Sequence, residues 1–365
     1  YSQPVWAPDG RRLLLISSRD GDPDLWSIRI ENGAAAGPLE FVEKNVPILL
    51  GATPNGECYF NVRTDLMDLY VADVNPQTGA LRSQPKQITT QGFNQGAAWS
   101  PDGEHLAYYS SGKVMIRSAT SGEVREIPLK GPLATASRLP VWFPDSHTLL
   151  VHSYDGKLRR LDVQTAEFRP LPEEAQVAPY SSTPNITAGG ITVLLSPDGR
   201  SIYYLRRDRD AGNMLFLRRA LEGGPETEVT RIAADQINGF SVSPDGNRLV
   251  FAASATAAAP GTSGSIWTAP TSGGGPPKEF YRVTTPNGYP HHPVWSKDGR
   301  RLLVILGGSR DDVYVFPGEG GEPTPLGLGL HEKSCISIRP DGAQIVFADE
   351  QWHNYLWVLN RSSRL

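Results

Sequence analysis

Short apolar runs separated by turn residues fill this chain, and none of them follows the 3.6-residue period of a helix. The stretch 96–129 is typical, because turns at Pro101-Asp102-Gly103, at Ser111-Gly112 and at 120–123 divide it into four such runs. Each run is four to six residues long and combines aromatic or aliphatic residues with polar ones. The pattern predicts four short antiparallel strands, which is the composition of one blade of a β-propeller.

The same phrase, an apolar strand followed by Pro-Asp-Gly or a close variant, recurs at intervals of 43 to 53 residues. A fixed period of this length is typical of repeat architectures. The turn Asp or Asn residues of the eight copies are Asp9, Asn55, Asp102, Asp145, Asp198, Asp245, Asp298 and Asp341. We therefore predict an all-β fold, a single β-propeller domain over residues 1–365 with eight four-stranded antiparallel blades.

The second and last copies are the least regular. In the second, 58–62 and 68–73 are predicted to be separate strands, and in the last, 344–348 and 355–359 are. If the degenerate second copy forms no separate sheet, the alternative is a seven-bladed ring. A terminal strand is expected to close the last blade, since an unpaired sheet edge is unfavourable.

The repeated Asp and Trp residues could suggest a catalytic or ligand-binding role, but both residue types have a structural interpretation. An Asp before Gly accepts backbone hydrogen bonds in a tight turn, so the repeated Asp residues are predicted to stabilise turns and not to act as catalysts. Seven of the eight Trp residues fall into two columns of the repeat, where a flat side chain packs between neighbouring sheets. They are predicted to be core residues, and these seven are Trp6, Trp26, Trp99, Trp142, Trp267, Trp295 and Trp357.

Composition narrows the range of possible binding partners. The net charge of -4 gives no general attraction to nucleic acid, and no apolar run approaches the roughly 18 residues that a membrane-spanning helix needs. Cys58 and Cys335 lie in different repeats, and we expect no disulfide between them. The chain begins inside a repeat at Tyr1, so we expect it to be a domain excised from a longer protein. We expect this domain to be monomeric. Its compartment is undetermined.

Function is expected where the copies differ. In a propeller the innermost strands surround a central channel, and the residues that enter them form one mouth of it. In this chain those positions lie about five to eight residues before each turn Asp, and several carry polar side chains. The predicted ligand- or partner-binding residues are Gln3, Asn94, Gln95, Arg138, Asn238, Tyr289, His291, His292 and Lys333.

A histidine cluster supplies the alternative. His291 and His292 enter one predicted blade and His331 enters the next, and three imidazoles at one mouth could bind a divalent metal such as manganese or zinc. Successive residues of a strand face opposite sides, which argues against both His291 and His292 facing the channel. We therefore expect no cofactor. No glycine-rich phosphate-binding loop enters a helix either.

The Trp-Ser-Pro-Asp-Gly phrase at 99–103, followed by an apolar strand, resembles the repeat of TolB-type propellers, which are relatives of WD-repeat proteins. The closing segment 354–359 resembles the end of propeller modules attached to bacterial kinases or transcription regulators. The resemblance implies a non-catalytic recognition or sensory module, in an extracytoplasmic setting, that binds a protein, a peptide or a small ligand. Related repeats also occur in lyases and peptidases, so the alternative is a metal-dependent lyase or hydrolase.

Overall fold

Strands are the regular elements of this chain in the computed structural model, which describes residues 2–17, 23–90, 92–129, 139–152, 157–172, 193–208, 212–234, 236–254, 264–284, 288–307, 311–329 and 332–359. The strands form antiparallel sheets, most of them four-stranded. The predicted fold class, an all-β chain built from four-stranded propeller blades, is confirmed. In these ranges there is no helix long and apolar enough to cross a membrane.

The third to seventh repeats each form one four-stranded sheet with its strands in sequence order. The third and fourth comprise β9 (Asn94–Trp99), β10 (His105–Ser110), β11 (Lys113–Ser118), β12 (Val124–Pro128), β13 (Val141–Trp142), β14 (Thr148–His152), β15 (Leu158–Asp162) and β16 (Phe168–Pro170). The fifth and sixth comprise β17 (Val193–Leu195), β18 (Ser201–Arg207), β19 (Met214–Ala220), β20 (Thr227–Ile232), β21 (Gln236–Val242), β22 (Arg248–Ser254), β23 (Gly264–Pro270) and β24 (Lys278–Val283). The seventh comprises β25 (Tyr289–Trp295), β26 (Arg301–Gly307), β27 (Asp312–Pro317) and β28 (Thr324–Pro325).

The first repeat also has a sheet of its own, whereas the second and eighth share one. The first contains β1 (Ser2–Trp6), β2 (Arg12–Ser17), β3 (Asp24–Glu31), β4 (Ala34–Ala35) and β5 (Glu40–Glu43). The shared sheet contains β6 (Ile48–Ala52), β7 (Cys58–Asp73), β8 (Lys86–Gln87), β29 (Glu332–Ile338) and β30 (Gln344–Leu359). All eight repeats thus form strands, as the prediction of eight blades expects.

Two strands of 16 residues each, β7 and β30, cause this sharing. The sequence predicts a break within each of them, and that prediction is wrong. In every other repeat the connection between the second and third strands contains a glycine, whereas 58–73 and 344–359 contain neither glycine nor proline. Without the glycine that the other repeats have at this point, each strand continues where a hairpin would otherwise form.

The chain divides into two compact units, and the division cuts both long strands. Unit 1 is Tyr1–Leu66 with Gln351–Leu365, and unit 2 is Met67–Glu350. In unit 2, β29, the first part of β30, the second part of β7 and β8 complete a sheet from both ends of that unit's sequence. There Gln344 Nε2 donates to Asp73 Oδ1 at 2.9 Å, and the stacked rings of Tyr70 and Phe347 lie 6.0 Å apart.

The inner strands of unit 2 follow one another in the manner of a propeller. β9 lies beside β29 and β13, β25 lies beside β29 and β21, and β13 lies beside β17. Side chains from facing sheets form the core between them, for example Phe216, Phe240 and Phe251 between the fifth and sixth repeats. The same inner strands carry most of the predicted site residues.

The turn Asp residues have the structural role that the sequence predicts. In the sixth repeat Ser243 Oγ donates to Asp245 Oδ1, and the backbone N–H of Asn247 donates to the same oxygen at 3.1 Å. The hydrogen bond from Ser243, followed by that of the Asn247 N–H, lowers the pKa of Asp245. Ser243 Oγ also accepts the N–H of Arg248 at 2.9 Å, which fixes the start of β22. Equivalent networks hold Asp102, Asp198 and Asp298.

The Trp residues of the two columns are buried or half-buried in unit 2, whereas two of those in unit 1 are exposed. Trp295 is buried, and the guanidinium of Arg248 from the neighbouring sheet lies 4.8 Å from its ring centroid. Trp142 is also buried and donates to the carbonyl of Ala98 at 2.9 Å. In unit 1, by contrast, Trp6 and Trp357 are 54% and 56% exposed, so the prediction that they are core residues is wrong. In unit 2, by comparison, the rings of Trp142 and Trp295 are each covered by residues of the adjacent sheet.

Candidate functional site

A β-bulge interrupts the inner strand of several repeats just before the turn. Opposite the second strand, the register shifts between Gln95 and Ala97 in β9, between Ile237 and Phe240 in β21, and between His291 and Val294 in β25. A bulge adds a residue to one strand and redirects the side chains around it. The predicted site residues of these repeats lie in or beside the bulges.

His292 occupies a glycine position of this bulge. Six residues before the turn Asp, the third and sixth repeats have Gly96 and Gly239, with φ of 58° and 114°, and the seventh has His292 with φ of 51°. Positive φ costs an L-residue about 1–2 kcal/mol, and histidine is one of the residues that adopt it more often. His292 therefore places a side chain where the third and sixth repeats have none.

The bulge also changes which residues share a side of the strand. Strict alternation predicts that His291 and His292 face opposite ways, but the extra residue in β25 interrupts that alternation. Both side chains are buried, with 6% and 1% exposure, and their ring centroids are 5.5 Å apart at a steep angle. Two neighbouring imidazoles are therefore brought together in one place.

An acidic residue and a tyrosine complete this group, which we call the histidine cluster (Tyr289, His291, His292 and Asp311). His291 Nε2 lies 3.6 Å from Asp311 Oδ2, and both side chains are 7% exposed. The Tyr289 ring stacks on His291 with 5.3 Å between centroids, and Tyr289 itself is 44% exposed. The cluster thus joins a buried polar interior to an exposed aromatic residue.

Asn238 connects the cluster to the sheet of the sixth repeat. Its Nδ2 donates to the carbonyl of Pro290 and to Ser254 Oγ, both at 3.3 Å. A Cβ added to Gly239 would lie 3.2 Å from the backbone nitrogen of His292. The two bulges therefore pack backbone against backbone, and glycine at 239 permits that approach.

Asn94 has a comparable connecting role in β9. It is buried, and its Nδ2 donates to the carbonyl of Met67 at 3.2 Å and to Asp68 Oδ1 at 3.3 Å. The hydroxyl of Thr89 donates to the same carboxylate at 2.9 Å. Gln95 follows in the strand, half-buried and opposite Tyr109.

The predicted site residues therefore fall into separate groups. Asn238, Tyr289, His291 and His292 come together at β21 and β25, whereas Asn94 and Gln95 lie at β9. Gln3 belongs to β1 in unit 1, and Lys333 belongs to β29, but their side chains lie outside the described part. Arg138 and His331 fall outside the described residues altogether.

The metal alternative needs a third ligand. Within the described ranges no three His, Cys, Asp or Glu side chains are placed to hold a metal ion. His331, the third imidazole of the sequence hypothesis, is not among those residues. Of that hypothesis, the structure places His291 and His292 together.

Sequence reasoning missed Asp311 and the strain at His292. Asp311 lies in the connection between β26 and β27, 20 residues after His291. Strand register therefore does not relate the positions of the two residues. Aligning the copies by their turn residue places His292 in one column with Gly96 and Gly239, but the other five copies have other residues there. The sequence column therefore gives no signal for the strain at His292.

Solved structures share this fold at low sequence identity. The putative TolB of Agrobacterium tumefaciens has a TM-score of 0.56 and 16% identity, over 79% of this chain and 99% of that one. The TolB of Acinetobacter baumannii has a TM-score of 0.51 and 13% identity, over 90% of this chain and 78% of that one. The fold is therefore that of TolB-type β-propellers.

Sequence comparison gives a narrower match. Over 126 residues the chain is 29% identical to the uncharacterized peptidase YuxL of Bacillus subtilis (strain 168). This match covers 34% of the chain and 18% of that protein, so it spans less than a fifth of the curated relative. No family model matches the chain.

Proposed function

We propose that this chain is a recognition module that binds a protein or peptide partner at the histidine cluster. The observation that carries the proposal is His292, a buried imidazole in a left-handed conformation that two sister repeats assign to glycine. Local backbone strain of this kind concentrates at functional positions.

The surroundings suit a protein ligand. Tyr289 offers an exposed aromatic face, and rigid aromatic anchors dominate the energetics of protein interfaces. Beneath it, His291 and Asp311 supply a polar pair that can donate and accept hydrogen bonds. The TolB-type fold supports the same function, since its strand ends present different side chains on a rigid frame.

A displayed peptide library tests the proposal, because it offers the chain many candidate ligands at once. Peptides selected on the wild-type chain would be measured against Tyr289→Ala, and against Arg169→Ala as a matched control on the exposed outer strand β16. We expect Tyr289→Ala to weaken binding about tenfold or more, because it removes an interface anchor. Equal binding by both variants would remove the cluster from the recognition surface.

A metal-dependent lyase or hydrolase is the second candidate. It is favoured by the 3.6 Å approach of His291 and Asp311 beside His292, since imidazole and carboxylate are common ligands of zinc and manganese. Elemental analysis of the purified chain, with His291→Ala as the comparison, tests it. One equivalent of bound metal that disappears in the variant would favour the enzyme over the recognition module.

A further inference from the structure

A groove separates the sheet of the third repeat from the segment that leads into it. Its volume is about 440 Å³, within the range of small-molecule sites. One wall is the face of β10, β11 and β12, and the other is the connection between β8 and β9. The residues that line the groove include Thr90, Ser110, Ser111, Lys113, Met115 and Glu126.

The groove is open because the neighbouring outer strand is short. β8 has two residues whereas β12 has five, so β8 covers only part of the facing sheet. Val124, at the start of β12, is 40% exposed as a result. Gly92 brings the connection close to the β10–β11 turn, since a Cβ there would lie 2.9 Å from Ser110 Oγ and 3.2 Å from Ser111 Oγ.

The strand register arranges the chemistry of the wall in rows. Tyr108 stands opposite Met115, and Met115 stands opposite Glu126. Ser110 stands opposite Lys113 in the next row. Tyr108 and Met115 thus lie side by side on this wall, with Glu126 at the outer end of their row and Ser110 and Lys113 in the next row.

The two charges at the rim are paired with each other. Lys113 Nζ contacts Glu126 Oε2, and the two side chains are 40% and 52% exposed. An ion pair this exposed is worth at most about 1 kcal/mol, so a ligand that supplies both opposite charges can open it at little cost. A zwitterion suits this rim, because it supplies an opposite charge to each partner at the same time.

We propose that this groove binds a free amino acid as a zwitterion. Its carboxylate pairs with Lys113, its ammonium pairs with Glu126, and its side chain rests on Met115 and Val124. The hydroxyls of Ser110 and Ser111 bind the remaining polar atoms. Neutral sugars suit the groove less, because Tyr108 is only 4% exposed and offers no ring face for stacking.

A second groove in the sixth repeat provides the internal control. It measures about 210 Å³ and is lined by Trp267, Glu279 and Arg282 among others. Its ion pair is tied more firmly: Arg282 Nη2 donates to Glu279 Oε2 at 2.7 Å, and Ser265 Oγ donates to the same oxygen at 3.1 Å. We therefore expect this pair to stay closed.

Thermal unfolding with the protein L-amino acids at about 10 mM tests the proposal. Some of them should raise Tm by about 2 °C or more, and their N-acetylated amides should not. Titration calorimetry should then show about threefold to fivefold weaker binding by Lys113→Met and by Glu126→Gln, because each variant loses one solvent-exposed ion pair with the ligand. Arg282→Met in the sister groove and Tyr289→Ala in the histidine cluster should bind as the wild type does.

Three results would overturn the proposal. The first is no stabilisation by any free amino acid. The second is stabilisation that persists in both Lys113→Met and Glu126→Gln, with their fold confirmed by circular dichroism. The third is a loss of binding in Tyr289→Ala, which would move the ligand to the histidine cluster. Because the groove and the cluster have separate variants, the first two results leave the proposed function unaffected.

Discussion

β21 and β25 are neighbouring inner strands with the same turn, the same bulge and different residues at its left-handed position. In β21 that residue is Gly239, and in β25 it is His292. Glycine meets the backbone requirement without strain, whereas histidine meets it at a cost and buries an imidazole. The comparison separates what the fold requires from what one repeat has added, and the addition lies in the histidine cluster.

The largest effect is expected from Gly239→Ala. A Cβ there meets the backbone of His292 at 3.2 Å, and φ of 114° is unfavourable for any L-residue. We expect a loss of about 2–3 kcal/mol in the free energy of unfolding, measured with guanidinium. Gly112→Ala is the control, since its φ is also positive at 74° but nothing lies within 4 Å. Equal losses in the two variants would show that the bulges do not pack as described.

Comparing His292→Gly with His292→Ala measures the backbone strain at position 292. Both remove the imidazole and leave the same space, but only alanine keeps the strain of φ near 51°. We expect the glycine variant to be the more stable by about 1 kcal/mol, the reverse of the usual order in a strand. A more stable alanine variant in chemical denaturation would mean that position 292 is not strained.

The turn that precedes β22 should have a similar but pH-dependent effect. Ser243→Ala removes the hydroxyl that donates to Asp245 and accepts from Arg248, at a cost of about 1 kcal/mol near neutral pH. The pKa of Asp245 is lowered in the folded state, so its contribution is present above the unfolded pKa of about 4 and is lost as pH falls through the folded value. The cost of Ser243→Ala should therefore shrink below about pH 4 in acid-dependent unfolding. A constant cost would separate the serine from the carboxylate.

Arg248→Lys should have the smallest effect. Arg248 lies in the sheet of β21, and its guanidinium covers Trp295 at the end of β25 while Nη1 donates to the carbonyl of Gly318. Lysine keeps the charge but loses the flat contact, so we expect a loss of about 0.5–1 kcal/mol in thermal unfolding. Arg169→Lys, on the exposed strand β16, is the control and should change nothing. A similar change in both would show that the contact with Trp295 is energetically neutral.

Much of the fold could be predicted because its repeats are locally encoded. The Pro-Asp-Gly turns bring their own hydrogen bonds, as at Asp245, so each copy defines its first two strands independently of the rest of the chain. β7 and β30 each contain two apolar runs, which predict two strands, but neither segment contains a glycine or proline to form the turn between them.

The candidate site was harder to predict. Strand alternation separates His291 from His292, and a bulge, which depends on the neighbouring strand, brings them together. Asp311 reaches His291 from a connection whose path no periodic pattern describes. Asn94 and Asn238 were predicted as ligand-binding residues, and the structure adds that their amide nitrogens donate to neighbouring backbone carbonyls.

The most direct test of the recognition function is the affinity of His292→Gly for a peptide selected on the wild-type chain. Titration calorimetry should show a loss of about tenfold or more. Chemical denaturation of the same variant should show it to be folded and at least as stable as His292→Ala. Unchanged affinity in a folded His292→Gly variant would contradict the account, because the strained imidazole would then have no part in recognition.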